Sequence, residues 1–396
     1  MPPSHSPLLS SAFRPFYFLG ALYALLLTAA WLGAWLGAWT VTSPGTPLAL
    51  WHGHEMLFGF AAAIIVGIVL TALPSWAGTE EIRGGRLALL VVLWLAGRIA
   101  FWAAPWLPPP APALADLLLL PAVFLMVAPQ LARASNRFYL LLLPILLALA
   151  AANGVYHYGL LAAQARLAGL GLSGALYAII LLYVLKGGVL TPIFTGNALR
   201  EKGRGGQAPF NVELEVLAVT VVLALAALDL AGAPALSTGL AALACAIVHA
   251  VRTARWQGWR IPDVPLVFVM HLGFAWLVFA FALKAVAELS GLVPEVAWMH
   301  AFTVGSLGLM MLGLMTRVSL RHTGRPLVVP ASMKLACGMM FAAALLRLAA
   351  TVHGLGDWAI ALAAVLWGLT FALYFVRFGA ILLRPSLPRD AKERLL

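Results

Sequence analysis

Two imidazoles and a carboxylate stand side by side at His52, His54 and Glu55, just after Trp51, and the stretch that follows, Leu57 to Leu73, carries no charge. Ionisable groups at the edge of an apolar helix mark a functional site by default, because burying them costs free energy that packing does not require. Imidazole is the commonest protein ligand for copper, iron and zinc, and a carboxylate beside it can accept a ring proton or carry one. The plainer alternative is an interfacial histidine pair held at headgroup level by Trp51.

The elements that position these groups follow from composition. Hydrophobic residues make up 63% of the 396 residues and charged ones 10%, against roughly 25% charge in a soluble domain. Mean hydropathy is +0.97. The fold class expected is all-α, a polytopic membrane protein forming one helical-bundle domain over 1–396. A spanning helix needs about 20 mainly apolar residues, since every backbone polar group must be satisfied within the segment. Twelve segments qualify: 16–39, 51–73, 87–104, 113–129, 138–158, 172–190, 212–232, 236–252, 264–286, 296–316, 333–353 and 357–382. The longest loop is expected around 191–211.

With this count, nineteen Arg and Lys residues, from Arg14 to Arg394, fall on one side and Arg166 alone on the other. The positive-inside rule then puts both termini in the cytoplasm. The net charge of +11 is explained by those loops, so it gives no reason to invoke nucleic acid. The first apolar segment lacks a small-residue cleavage site and reads as a retained helix. Cys245 and Cys337 fall inside spans and read as packing residues. Gly203-Arg204-Gly205-Gly206 lacks the Lys and the strand-to-helix setting of a phosphate loop.

Sorted by depth, five of the nine histidines lie toward the outer face: His52 and His54, His157, His300 and His353. They come from four helices, and facing helices of a bundle are where metal sites are built. A haem takes one or two axial histidines and copper favours imidazole, so the set suffices for one such centre or two. His52 and His54 point about 200° apart on a straight helix, so they do not serve one metal from it. Asn153, one turn before His157, is placed to orient that ring. Arg98 and Arg347 sit in the outer part of their helices, to pair with Glu55 or haem propionates, or to neutralise a carboxylate such as Asp116 or Glu295. His271 lies deeper from the inner side, for a second centre or a helix interface, with His249, Lys186 and His322 nearer that face. The Met310 to Met315 stretch reads as adaptable core.

These features, together with Phe13-Arg14-Pro15-Phe16, Leu70-Thr71-Ala72-Leu73-Pro74-Ser75-Trp76, Pro192-Ile193-Phe194-Thr195, His271-Leu272-Gly273-Phe274, His300-Ala301-Phe302-Thr303 and the run Met315 to Leu327, resemble the NnrS family of bacterial inner-membrane proteins. The resemblance falls on His52, His54, Glu55, Asn153, His157, His271, His300, Arg317, His322 and Arg325. It implies a twelve-helix protein containing haem, of b type, and copper, linked to tolerance of nitric oxide and nitrosative stress. One departure stands out: where an Arg is expected before the Pro192 block, the chain reads Lys186-Gly187-Gly188-Val189.

The expected protein therefore binds nitric oxide at a histidine-ligated metal near the outer face. His52, His54, His157, His300 and, at an inner centre, His271 are the candidate ligands, with Glu55 as proton carrier. Arg98, Asn153, Arg317, His322, Arg325 and Arg347 are the supporting set, although Arg317, Arg321 and Arg325 also read as headgroup anchors. If nitric oxide is reduced, electrons enter from a quinol or another membrane donor; if it is only bound, none are needed. The competing class is a transporter using the same histidines, against which stands the placement of the cluster at one face and not at the midplane.

Overall fold

The computed structural model describes residues 6–41, 46–134 and 136–388; of the basic residues counted above, Arg389, Lys392 and Arg394 lie outside them. Twelve helical stretches follow one another: α1 Phe13–Trp35, α2 Leu48–Ala77, α3 Gly85–Trp102, α4 Pro110–Arg133, α5 Arg137–Leu161, α6 Ala165–Glu201, α7 Val212–Leu230, α8 Ala235–Arg260, α9 Pro265–Ser290, α10 Val296–His322, α11 Ala331–His353 and α12 Asp357–Leu382. Eleven are long and apolar enough to cross a membrane. The exception, α7, packs Glu213, Glu215 and Asp229 into nineteen residues. The protein is a multi-pass, all-α membrane protein.

The largest departure from the expected spans is α6, which runs through Pro192 to Glu201 and shortens the following loop to 202–211. A proline inside a membrane helix is tolerated where local side chains adjust the hydrogen bonding; beside it the Thr195 hydroxyl donates to Thr191 O at 2.7 Å.

The chain forms two compact units, one of residues 1–176, 315–328 and 371–396 and the other of 177–314 and 329–370. In the first, α1 packs on α2 through Gly20 and Gly67, whose bare backbones admit Ile64 and Tyr17. The Thr71 hydroxyl accepts the free N–H of Phe13 at 2.9 Å, satisfying a donor at the start of α1. α5 and the start of α6 cross with backbones touching: a Cβ on Gly171 would lie 2.6 Å from Tyr156 N. In the second unit, α8 lies along α9, and α10 meets α9 where Gly305 accepts the Trp276 ring. Met310, Met311 and Met315 are buried as expected of adaptable core, and Cys245 and Cys337 are free thiols.

Three stretches wind as π-helix: Glu55–Ala61, Tyr183–Gly187 and Ala301–Leu307. Two of them begin directly after a histidine that the sequence singles out, His54 and His300. A π-bulge inserts a residue and loosens one turn of carbonyls; in α2 the Gly59 carbonyl accepts from Trp94 Nε1 at 2.9 Å.

Candidate functional site

The first unit holds a buried polar cluster whose members come from four helices. α2 contributes His54 and Glu55 at the point where α-helix turns to π-helix. Glycine at 59 is needed there, since a Cβ would lie 2.9 Å from the Tyr23 ring and 3.0 Å from Arg98 Nη1. α3 contributes Arg98, and the adjacent Gly97 lets α4 approach until Asp116 Cα would lie 3.1 Å from an added Cβ. α4 itself breaks here: Pro110–Asp116 is one helical segment and Leu119–Arg133 the next. α5 contributes Asn153 and His157 one turn apart, so both reach the same face.

Arg98 forms ion pairs with Glu55 Oε1 and with Asp116 Oδ1, its planar fork spanning two carboxylates. Asp116 Oδ2 is the meeting point of the rest. It accepts from Asn153 Nδ2 at 2.8 Å and lies 2.9 Å from His157 Nε2 and 3.1 Å from His54 Nε2. His54 Nδ1 lies 3.0 Å from Glu55 Oε1, and its Nε2 lies 3.1 Å from both Asp116 Oδ2 and Asn153 Oδ1. A neutral imidazole has one N–H, so it donates toward Glu55 or toward the Asp116–Asn153 pair, and only the imidazolium satisfies both sides.

Two features of this arrangement call for a cation. Electron-rich atoms converge: His54, His157 and Asp116 each offer one ligand atom within 4.8 Å of the others. With neutral imidazoles, two carboxylates face one guanidinium, leaving one negative charge uncompensated where Glu55 and His54 are fully buried. Unpaired buried charge costs several kcal/mol. A proton on an imidazole or a metal ion on the three atoms would each remove it.

The walls are aromatic. The His54 ring is stacked between Phe101, 4.3 Å away, and Tyr156, 4.4 Å away. Trp102 Nε1 donates to Tyr23 OH at 2.7 Å and to Glu55 Oε2 at 3.3 Å.

Of the sequence candidates, His54, His157, Glu55, Arg98 and Asn153 thus meet. Asn153 serves Asp116 and His54, while His157 is held by Asp116 and not by the amide expected to orient it. The other candidates are elsewhere. His52 points away from the cluster, its ring 4.8 Å from Trp31, as the angular argument requires. His322 packs on Phe13, ten residues before the Tyr23 that borders the cluster, or about 15 Å along α1; Arg317 and Arg325 flank His322 in sequence. In the second unit, His300 Nδ1 donates to Val296 O at 2.9 Å, which presents Nε2 as the lone-pair nitrogen. Thr195 gives its own proton to Thr191 O, so the 2.8 Å contact between Thr195 Oγ1 and His271 is a donation from His271 Nε2. The edge of that ring abuts Gly258. Arg347 donates to Thr351 at 2.5 Å. The guanidinium lying against Gly188, in the stretch where an arginine was expected, comes from Arg252, which donates to Val184 O at 3.1 Å and pairs with Glu215.

Asp116 is the candidate ligand that the sequence pattern offered only as a counter-charge. The signal was present: an acid inside an apolar span is itself a functional pointer.

One protein-family model, described as NnrS protein, matches residues 7–386. No curated protein matches the chain.

Proposed function

The chain belongs to the NnrS family, and from that premise we propose that it is a nitric-oxide-related membrane metalloprotein in which His54, His157 and Asp116 hold one transition-metal ion. The observation that carries this is the convergence of two imidazole nitrogens on one carboxylate oxygen, 2.9 and 3.1 Å away, in a fully buried setting with an excess negative charge. Donors at 2.0 to 2.1 Å from a tetrahedral ion stand about 3.3 Å apart, close to the 2.9 and 3.1 Å that separate the two imidazole nitrogens from the Asp116 oxygen. Two imidazoles and one carboxylate suit copper or iron.

A bound ion of either metal supplies an open position for nitric oxide and one-electron chemistry. The chain's own residues do the rest. With an ion bound, Glu55 would accept a hydrogen bond from the His54 Nδ1–H and so leave the Nε2 lone pair for the metal. Arg98 holds both carboxylates in place, and Asn153 fixes the Asp116 oxygen. Phe101 and Tyr156 keep water from the faces of His54, and a proton on Glu55 would be shielded by Trp102 and Tyr23. Nitric oxide is small and apolar enough to arrive through lipid.

The surroundings of His54 do not fit a haem. Both ring faces are covered and Asp116 and Asn153 stand before Nε2, where a porphyrin plane would lie. His300 has the better chemistry for an axial ligand, since its bond to Val296 O fixes the tautomer that presents Nε2. Haem and the metal ion would then be separate centres.

Metal and haem content of purified protein, with optical spectra before and after nitric oxide, tests the reading. Asp116→Asn and His157→Ala should lose the ion and keep haem, His300→Ala should lose haem and keep the ion, and His52→Ala should keep both. Full metal occupancy in Asp116→Asn and His157→Ala would overturn the assignment. Consumption of nitric oxide with an added quinol separates catalysis from simple binding.

A further inference from the structure

The opposite end of the first unit carries a concentration of arginines that, among the described residues, pair with no carboxylate. Arg14 is buried and spends its guanidinium on the end of the last helix, donating to Leu382 O at 2.8 Å, to Arg384 O at 2.6 Å and to Ser386 Oγ at 2.8 Å. This is a cation on the carbonyl end of α12, where the helix dipole favours one. The segment beyond α12 is stitched to the end of α10: Leu387 N donates to Thr323 O at 2.9 Å and Ser386 Oγ to His322 O at 3.0 Å. Arg325 Nη1 donates to that same Thr323 O at 3.2 Å. Arg14, Arg325 and Arg384 are thereby drawn to one place, and Arg377 stands two turns before Arg384.

Among the described residues none of these four arginines forms an ion pair. Their proximity registers on Arg325, which lies beyond the end of α10: burial, then Arg377 and Arg384, lower its pKa. Arg325, Arg377 and Arg384 repel one another, and a bound anion would relieve that repulsion. Arg377, Arg384 and their neighbours Val376, Leu383 and Leu387 are exposed on the same stretch, Val376 by 81%. A guanidinium beside exposed apolar side chains at a helix end suits the boundary between headgroups and acyl chains. This is also the end that the positive-inside rule assigns to the cytoplasm.

We propose that Arg325, Arg377 and Arg384 form a binding site for the phosphate of an anionic phospholipid, whose acyl chains lie along Val376 and Leu383. Arg14 builds the platform and does not contact the lipid. The site is independent of the metal reading, since none of its residues belongs to the buried cluster.

The test uses full-length protein in a neutral detergent, titrated with phosphatidylglycerol, phosphatidylcholine or inorganic phosphate, with bound species counted by native mass spectrometry. Wild type should hold phosphatidylglycerol at least tenfold more tightly than phosphatidylcholine, and the triple variant Arg325→Gln, Arg377→Gln, Arg384→Gln should lose that preference. Arg86→Gln, which removes an exposed arginine 3.6 Å from Glu80, should keep it. Should the triple variant not fold, Arg377→Gln alone, which removes no hydrogen bond among the described residues, should still reduce the preference severalfold. An undiminished preference in these variants overturns the proposal. So does displacement of phosphatidylglycerol by millimolar phosphate, which would identify a small-anion site.

Discussion

Each unit buries a cation between two or more carboxylates, and the two clusters differ in whether their excess negative charge reaches water. In the second unit, Lys284 Nζ is fully buried, bonded to Asp229 at 2.8 Å and Glu288 at 3.1 Å and near Glu295 at 3.5 Å, with the Trp298 ring centred 4.9 Å away. Tyr177 OH donates to the other Asp229 oxygen at 2.7 Å. Asp229, Glu288 and Glu295 are spaced as three metal ligands would be, yet a tethered ammonium already occupies the place of the ion. The excess negative charge there reaches solvent, since the Glu295 side chain is 57% exposed. In the first unit, Arg98 binds its two carboxylates from one side, two imidazole Nε2 atoms converge on the remaining Asp116 oxygen, and no member is exposed. Ligand spacing alone therefore does not make a metal site; what sets the first cluster apart is an excess negative charge without access to water.

Removing each cation separates the two most strongly. Arg98→Met leaves Glu55 and Asp116 buried and unpaired, and should cost about 3 to 5 kcal/mol in denaturant unfolding in mixed micelles. Lys284→Met should cost less, about 1 to 2 kcal/mol, because its partners can rehydrate. Equal losses would remove the distinction drawn between the clusters.

A single methyl group sharpens it next. Gly97→Ala would set a Cβ 3.1 Å from the Asp116 Cα and 2.9 Å from its Oδ1, a backbone neighbour that cannot turn aside. The expected loss is about 1 to 3 kcal/mol, together with weaker metal binding. Gly239→Ala, near the Lys284 cluster, meets mainly the flexible Leu289 side chain at 2.6 Å and should cost under about 1 kcal/mol. The order of the two midpoints in thermal unfolding checks this.

The smallest effect lies outside both clusters. Arg204 hydrogen bonds, and then those of Lys202, hold the Asp263 carboxyl well below the ordinary range. A depressed folded pKa stabilises above the unfolded value, about 3.9, and that contribution vanishes as pH falls through the lower folded value. Proteolysis of the 202–211 loop should therefore be slow at neutral pH in wild type and faster in Asp263→Asn, with the two converging in strong acid. High salt should narrow the gap, as the pair is exposed. A pH-independent difference would mean the tie is not ionic.

The spans were legible because hydropathy over twenty residues and the charge bias of loops are one-dimensional properties. α7 also fitted that pattern, and only its three acids set it apart. The site was legible by depth and not by facing. Depth grouped His54, His157, Glu55, Asn153 and Arg98, which do meet, together with His52, which lies against Trp31, and His300, which belongs to the second unit. Facing depends on local winding, and both helices that matter depart from regular form at the site: α2 turns to π-helix after His54, and α4 breaks after Asp116. No 3.6-residue wheel carries a register through such points. That explains why Asp116 read as a counter-charge and why its role needed the structure.

The central claim is that the buried imidazole and carboxylate cluster binds a metal ion while the lysine cluster does not. Metal analysis of wild type, Asp116→Asn and Lys284→Met, purified side by side without added chelator, tests it most directly. The account predicts one copper or iron ion per chain in wild type and in Lys284→Met, and less than a tenth of that in Asp116→Asn. Wild-type occupancy in Asp116→Asn, or loss of the ion in Lys284→Met alone, would contradict it.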